Sequence, residues 1–284
     1  MATLTIANNP EMKDLVDMKA DIVFSEQTGE RLALQLLKPM WQSDGKGFPL
    51  VVFIQGSSWT KPNQFWEIPQ LSQLARRGFV IASVTHRSCW DAPAPAFLRD
   101  VKTALRFLRT HAKEYDIDPD RVCAWGTSSG GNTALLLGMT GDDPAFESDE
   151  WAGVSTRVQA VVDCFGPTDL LKMIDEQYTS IPMNEKNLFF ALGGRDLHTL
   201  RGTLKSISPV YYVREGISLP PFLILHGDAD DVVLYEDSEA LYHKLLACGH
   251  TADLVRITGA PHEGSFWSQE LLEIIFSFIE KSLR

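Results

Sequence analysis

The sequence predicts an α/β protein: a doubly wound, mostly parallel sheet of eight strands with helices on both faces. Three observations predict it. Eight short apolar runs recur along the chain, most of them without polar interruption, as suits strands covered on both faces. Helical patterns carrying one apolar stripe lie between them. The two alternate almost to the C-terminus, which is the pattern of right-handed crossover units.

The elements follow in order. DIVFS (21–25) and LALQLL (32–37) read as a pair of opening strands. PLVVFI (49–54), FVIASV (79–84), RVCAW (121–125), VQAVVDC (158–164), PFLILH (221–226) and ADLVRI (252–257) are the remaining six. Leu98, Val101, Leu105 and Leu108 form one helical stripe, and Asp118-Pro119-Asp120 breaks the chain before the next strand. A helix of about 236–248 separates the last two strands, and the final helix carries Leu271, Ile274, Ile275, Phe278 and Ile279 on one face. Residues 170–215 interrupt the rhythm. They mix Met173, Tyr178, Met183, Phe189 and Phe190 with Pro, Gly and charges and show no clean strand. Too apolar for a linker, this stretch is expected to be a cap or insertion within a single domain spanning 1–284. Its place is over the strand ends, where α/β sheets bind ligands.

At 44% hydrophobic and 22% charged, the 284 residues can bury a sizeable core. The net charge of −11 disfavours nucleic acid and anionic membrane surfaces, both of which need a basic face. No run approaches the ~18 apolar residues of a spanning helix. The N-terminal stretch is polar and does not read as a secretory signal, so a cytoplasmic location is expected. The four cysteines (Cys89, Cys123, Cys164 and Cys248) fit neither a disulfide scaffold nor a zinc site. Cys123 and Cys164 fall in strands and read as small buried hydrophobes.

The chemistry starts at AWGTSSGGN (124–132). A phosphate-cradling loop would need Lys-Ser or Lys-Thr after its glycines, and Asn132-Thr133 follows instead. What matches is G-x-S-x-G at Gly126, Ser128 and Gly130. Centring it on Ser129 would require glycine at position 127, which is Thr. Ser128 is therefore the expected nucleophile, on a strained turn between a strand and a helix. A serine hydroxyl needs a base, and the base needs an orienting acid. In chain order the acid follows the serine and the histidine comes last. His262, in GAPHEG (259–264), is placed to be the base. Asp228, Asp230 and Asp231, in LHGDADD (225–231), are all placed to be the acid, and spacing does not choose among them. His226 reads as structural, and His86 as a pocket or structural residue. The oxyanion of an acyl-transfer transition state needs amide donors. One is the N–H of Ser129, and the loop FIQGSSWTKPNQFW (53–66) can supply others through Gly56-Ser57-Ser58, with Trp59 as a wall of the substrate site.

These residues resemble the α/β-hydrolase fold, and within it the esterase/lipase group of hormone-sensitive-lipase and feruloyl or acetyl-xylan esterase-like enzymes. QGSSW (55–59), DVKTALRFLR (100–109), DPDRVCAWGTSSGG (118–131), DCFGPTDL (163–170), the 208–233 run and GAPHEG carry the resemblance over about residues 20–284. It implies a serine esterase with no cofactor or metal, acting on small-molecule esters with short acyl or hydroxycinnamoyl groups, carbohydrate-linked ones included. The family pattern HGxxDxxV selects Asp230 as the acid, with Val233 at its end. The family's His-Gly-Gly-Gly-Trp loop implies that Ser57 and Ser58 give the oxyanion amides. Gln55 replaces that histidine and two serines replace glycines, which a loop without positive φ at the serines would tolerate. A prolyl-oligopeptidase-like peptidase shares the triad order, but the chain has no length for that family's propeller. A non-catalytic binding protein of the same fold would have no need of all three triad residues.

Overall fold

The computed structural model describes residues 3–177, 187–193 and 197–284; Tyr178 and Met183 lie outside the described residues. Eight strands form one sheet: β1 (Val16–Ser25), β2 (Leu32–Pro39), β3 (Phe48–Ile54), β4 (Val80–Val84), β5 (Ile117–Thr127), β6 (Ala160–Cys164), β7 (Phe222–Gly227) and β8 (Ala252–Ile257). Their order is β1-β2-β4-β3-β5-β6-β7-β8. β2 runs antiparallel to both β1 and β4, and every other pairing is parallel. Among the described residues the helices are α1 (Ile68–Ala75), α2 (Ala96–Thr110), α3 (Ala112–Tyr115), α4 (Ser129–Thr140), α5 (Leu170–Gln177), α6 (Leu188–Gly193), α7 (Leu197–Ser206), α8 (Tyr235–Ala247) and α9 (Gln269–Leu283).

The continuous apolar strands are explained by two cores. Along β3, Leu50, Val52 and Ile54 enter one core and Val51 and Phe53 the other, because successive side chains point to opposite faces. The first core takes the stripe Leu98, Val101, Leu105 and Leu108 of α2 together with α4 and α8. The second takes Leu71 and Leu74 of α1 and the inner face of α9. Every residue of α4 is buried. A helix apolar on all sides belongs in the interior, and α4 packs on β5 and β6 while α2 covers it.

Two expectations need correction. The buried face of α9 is Leu271, Leu272, Ile275, Phe276, Ile279 and Leu283, whereas Ile274 is 38% exposed. The helix is apolar over so wide an arc that spacing alone misplaces the stripe by part of a turn. β1 also begins at Val16, because Val16 and Met18 pack inward while Asp17 between them faces water. Among the described residues no helix is long and apolar enough to cross a membrane. The parallel strands deliver their C-terminal ends to one edge of the sheet, and the loops after β3, β5, β7 and β8 meet there.

Candidate active site

Ser128 sits where β5 turns into α4, with φ 50° and ψ −124°, a left-handed conformation costly for a residue with a Cβ. The two flanking glycines explain how the turn closes. A Cβ on Gly126 would lie 2.0 Å from the Gly130 carbonyl oxygen, and one on Gly130 would lie 2.0 Å from that of Ile54. The strand, the helix and the neighbouring strand therefore pass through the space a side chain would fill. The Ser128 N–H is held by the Cys164 carbonyl at 2.9 Å, so the strain is stabilised by a neighbouring strand.

From this turn the Ser128 hydroxyl donates to His262 Nε2 at 3.0 Å, and His262 Nδ1–H donates to Asp230 Oδ2 at 2.7 Å. Phe165 packs edge-on against the imidazole, 4.8 Å between ring centres, and limits its rotation. The structure thus brings Ser128, Asp230 and His262 into one hydrogen-bonded line. The other two acids stand apart. Asp228 pairs with Arg256 at 2.8 Å and accepts from the Gly259 N–H at 2.5 Å, and Asp231 is exposed.

Asp230 accepts two further bonds on its other oxygen, from the N–H groups of Val232 and Val233 at 2.9 Å each. Burial would raise its pKa, but hydrogen bonds from His226 and His262 and from the Val233 amide outweigh it and hold the carboxyl well below the usual carboxylate range. The His226 bond was not anticipated: His226 Nε2–H reaches Asp230 Oδ2 at 3.1 Å. The signal was a histidine four residues before the acid across a strand-ending turn, which composition alone does not distinguish from a core histidine. His86, by contrast, is buried with Nδ1 on the Arg87 carbonyl at 2.8 Å, and burial lowers its pKa.

The loop after β3 departs from expectation in two ways. Ser58 and Trp59 both have positive φ, 52° and 55°, and the Thr60 N–H returns to the Ser57 carbonyl at 3.0 Å, which makes the segment a turn with two left-handed central residues. The serine therefore accepts strain that a glycine would not. In addition, the Ser57 N–H is spent on Ser129 Oγ at 2.9 Å, and the Gly56 N–H on Thr127 Oγ1 at 2.8 Å. Of the three expected oxyanion donors, Ser58 and Ser129 keep amides with no partner among the described residues, and Ser57 does not. The hydroxyls of Thr127 and Ser129, on both sides of Ser128, thus hold this loop. Gln55 Oε1 meanwhile accepts from the Asn63 N–H at 2.5 Å.

A cavity of about 260 Å³ opens beside Ser128. Ser58 and Trp59 line it from the loop after β3, Ser129 from the start of α4, Val232 and Val233 from the loop after β7, and Met173, Leu188 and Phe189 from α5 and α6. Trp59 is buried and braced by Phe97 at 6.2 Å. A small void of about 40 Å³ is lined by Trp66, Glu67, Trp125 and Trp267. Burial first, then the nearby Glu263 carboxylate, pushes the Glu67 pKa up to about 8, while Glu263 itself accepts from Trp267 Nε1 at 3.1 Å. Among the described residues no group of three His, Cys, Asp or Glu is arranged to hold a metal ion.

The sheet order, the strained serine between β5 and α4, and the serine–histidine–aspartate line define an α/β-hydrolase. Residues 34–245 match the model of the BD-FAE family, and the chain belongs to that family of α/β-hydrolase esterases. It is similar to the esterase LipQ of Mycobacterium tuberculosis, 27% identical over 223 residues that cover 77% of this chain and 51% of that one. The probable carboxylic ester hydrolase LipM of the same organism is 27% identical over 241 residues, 80% of this chain and 54% of LipM. The chain thus spans about half the length of the curated relatives it matches. Among solved structures, a truncated carbohydrate esterase from gut microbiota superposes with a TM-score of 0.80 at 26% identity, covering 96% of this chain and 98% of that one. Esterase 2 of Thermogutta terrifontis with propionate bound gives 0.76 at 26% identity, covering 96% of each.

Proposed function

We propose that this protein hydrolyses carboxylic esters through an acyl-enzyme on Ser128. The observation that carries the reading is the continuous line Ser128 Oγ–His262 Nε2 at 3.0 Å and His262 Nδ1–Asp230 at 2.7 Å. Asp230 fixes the imidazole tautomer, so Nε2 is free to take the Ser128 proton as Oγ attacks the ester carbonyl. The oxyanion is stabilised by the Ser58 and Ser129 amides. His262 returns the proton to the leaving alcohol, then activates water to release the acid.

The leaving oxygen must face His262. A cavity lined by Ser128 and the oxyanion loop, with His262 not among its lining residues, is thus the acyl side. Its walls are mostly apolar, and at about 260 Å³ it falls just below the ~300–1,000 Å³ of pockets for drug-sized ligands. This supports compact apolar acids, short acyl or hydroxycinnamoyl. We read 170–215 as the cap of a single domain, since α5 and α6 supply Met173, Leu188 and Phe189 to that wall. A carbohydrate alcohol is favoured by the similarity to a carbohydrate esterase. The test is a panel of p-nitrophenyl esters of rising acyl length, with acetylated and feruloylated sugars and a proline-containing peptide amide. Ester turnover with a cutoff in acyl length is expected. Cleavage of the peptide alone, or of nothing, would overturn the reading.

A further inference from the structure

Asp230 is shared by two histidines. On one side His262 donates to Oδ2 at 2.7 Å; on the other His226 Nε2 lies 3.1 Å from the same oxygen and 2.9 Å from the Val233 carbonyl. Both partners of His226 Nε2 are acceptors, so this nitrogen carries the proton. Its Nδ1 lies 2.7 Å from Ser238 Oγ. In the neutral ring that nitrogen accepts, and the Ser238 hydroxyl on α8 locks the tautomer. His226 and Ser238 are fully buried, and nothing in the hydrolytic steps uses either of them.

We propose that His226 is a positioning residue for the triad acid: with Ser238 behind it, it holds the shared carboxylate oxygen toward His262 and moderates that oxygen's basicity. The inference rests on the reading of Ser128, Asp230 and His262 as the catalytic triad. The physical reason is the loop itself. Asp230 follows β7 by three residues, and its first oxygen is fastened by two backbone amides. Its second oxygen would otherwise be held by the catalytic imidazole alone, which must change charge in each turnover. A second donor outside the proton-transfer path gives that oxygen a constant partner.

The sign of the effect follows. Without the His226 bond the Asp230 carboxylate is more basic and favours the imidazolium of His262 more strongly. The acid limb of kcat/KM then moves to higher pH. Other titratable and charged groups lie on the elements packed around His226. On α8, Asp237 binds Lys172 at 2.5 Å, and the Tyr235 ring lies edge-on at 6.1 Å. On β8, Arg256 is the register partner of His226 and pairs with Asp228. On β6, Asp163 lies beside Ile224, and burial raises its pKa well above the usual carboxylate range.

The experiment compares wild type, His226→Leu, His226→Gln and Ser238→Ala. The readouts are kcat/KM for p-nitrophenyl acetate from pH 5 to 9 and the melting temperature. Leucine removes all three ring hydrogen bonds, whereas glutamine retains a donor and an acceptor. His226→Leu is expected to lose about tenfold or more and to move the acid limb up by roughly half a pH unit. Glutamine should restore the wild-type limb, and Ser238→Ala should shift it in the same direction by less. If the leucine variant does not fold, the Gln and Ser238→Ala profiles decide. An unmoved limb in Ser238→Ala and His226→Leu, or equal losses in Leu and Gln, overturns the proposal. Turnover retained by Ser128→Ala would instead sink the triad reading, so the two failures are distinguishable.

Discussion

Replacing Asp230 by asparagine changes one atom, and the structure says which way the new amide must face. The N–H groups of Val232 and Val233 both point at Oδ1. Backbone donors cannot turn, so the asparagine oxygen must stay with them. The new NH₂ then faces His226 and His262 in place of Oδ2. His262 Nδ1 can meet it only as an acceptor, which moves the ring proton to Nε2. An imidazole with that tautomer cannot take the Ser128 proton. Losses for a wrong tautomer in a triad of this kind are about 10⁴-fold in kcat, or about 5.4 kcal/mol of barrier. Asp228→Asn instead weakens an exposed, solvent-screened pair with Arg256, and such pairs contribute little. The assay is kcat for p-nitrophenyl acetate on both variants, with near-ultraviolet circular dichroism to confirm folding. A loss below tenfold for Asp230→Asn, or equal losses for the two, would refute the reasoning.

Three further outcomes follow from particular contacts. Ser129→Ala removes the acceptor of the Ser57 N–H and should lower kcat about tenfold, or about 1.4 kcal/mol, while Ser129→Thr should keep most activity; an unchanged kcat in the alanine variant would show that the loop does not need this hydroxyl. Ser58→Gly relieves a left-handed serine that costs about 1–2 kcal/mol but adds freedom to the unfolded chain, so the melting temperature should rise by about 2 °C, and a fall would count against strain at that turn. Glu67 has its folded pKa raised to about 8, so the folded state holds a proton that the unfolded state releases near 4.5. Its contribution is fully present below about pH 4.5 and is lost as pH rises through 8. Glu67→Gln should flatten that part of the urea-midpoint profile, and an unaltered slope would place the titration elsewhere.

Much of this was legible because the fold repeats a simple rule. Strands buried on both faces are apolar at every position, so PLVVFI and FLILH could be read without knowing their neighbours. Gly126 and Gly130 were legible for the same kind of reason: each marks a place where backbone passes too close for a Cβ. What stayed hidden depends on which groups meet across the chain. His226 lies one turn of loop from Asp230, yet its bond to that acid exists only because β7 ends where it does. The Ser57 amide was expected to face the substrate, and the hydroxyl that captures it belongs to a residue 72 positions away. Positive φ at Ser58 and Trp59 contradicts the local preference of both residues, and the surrounding contacts impose it. The exposure of Ile274 shows the limit of periodicity in a helix with apolar residues around most of its circumference.

The central claim is that Ser128 is an activated nucleophile. Intact-mass spectrometry after treatment with a fluorophosphonate measures this directly, across pH 5 to 9, for wild type and Ser128→Ala. One adduct per chain is predicted, mapped to the peptide holding Ser128, forming faster as pH rises and absent from the alanine variant. Equal labelling of the alanine variant, or an adduct on Ser129 or Ser58, would contradict it.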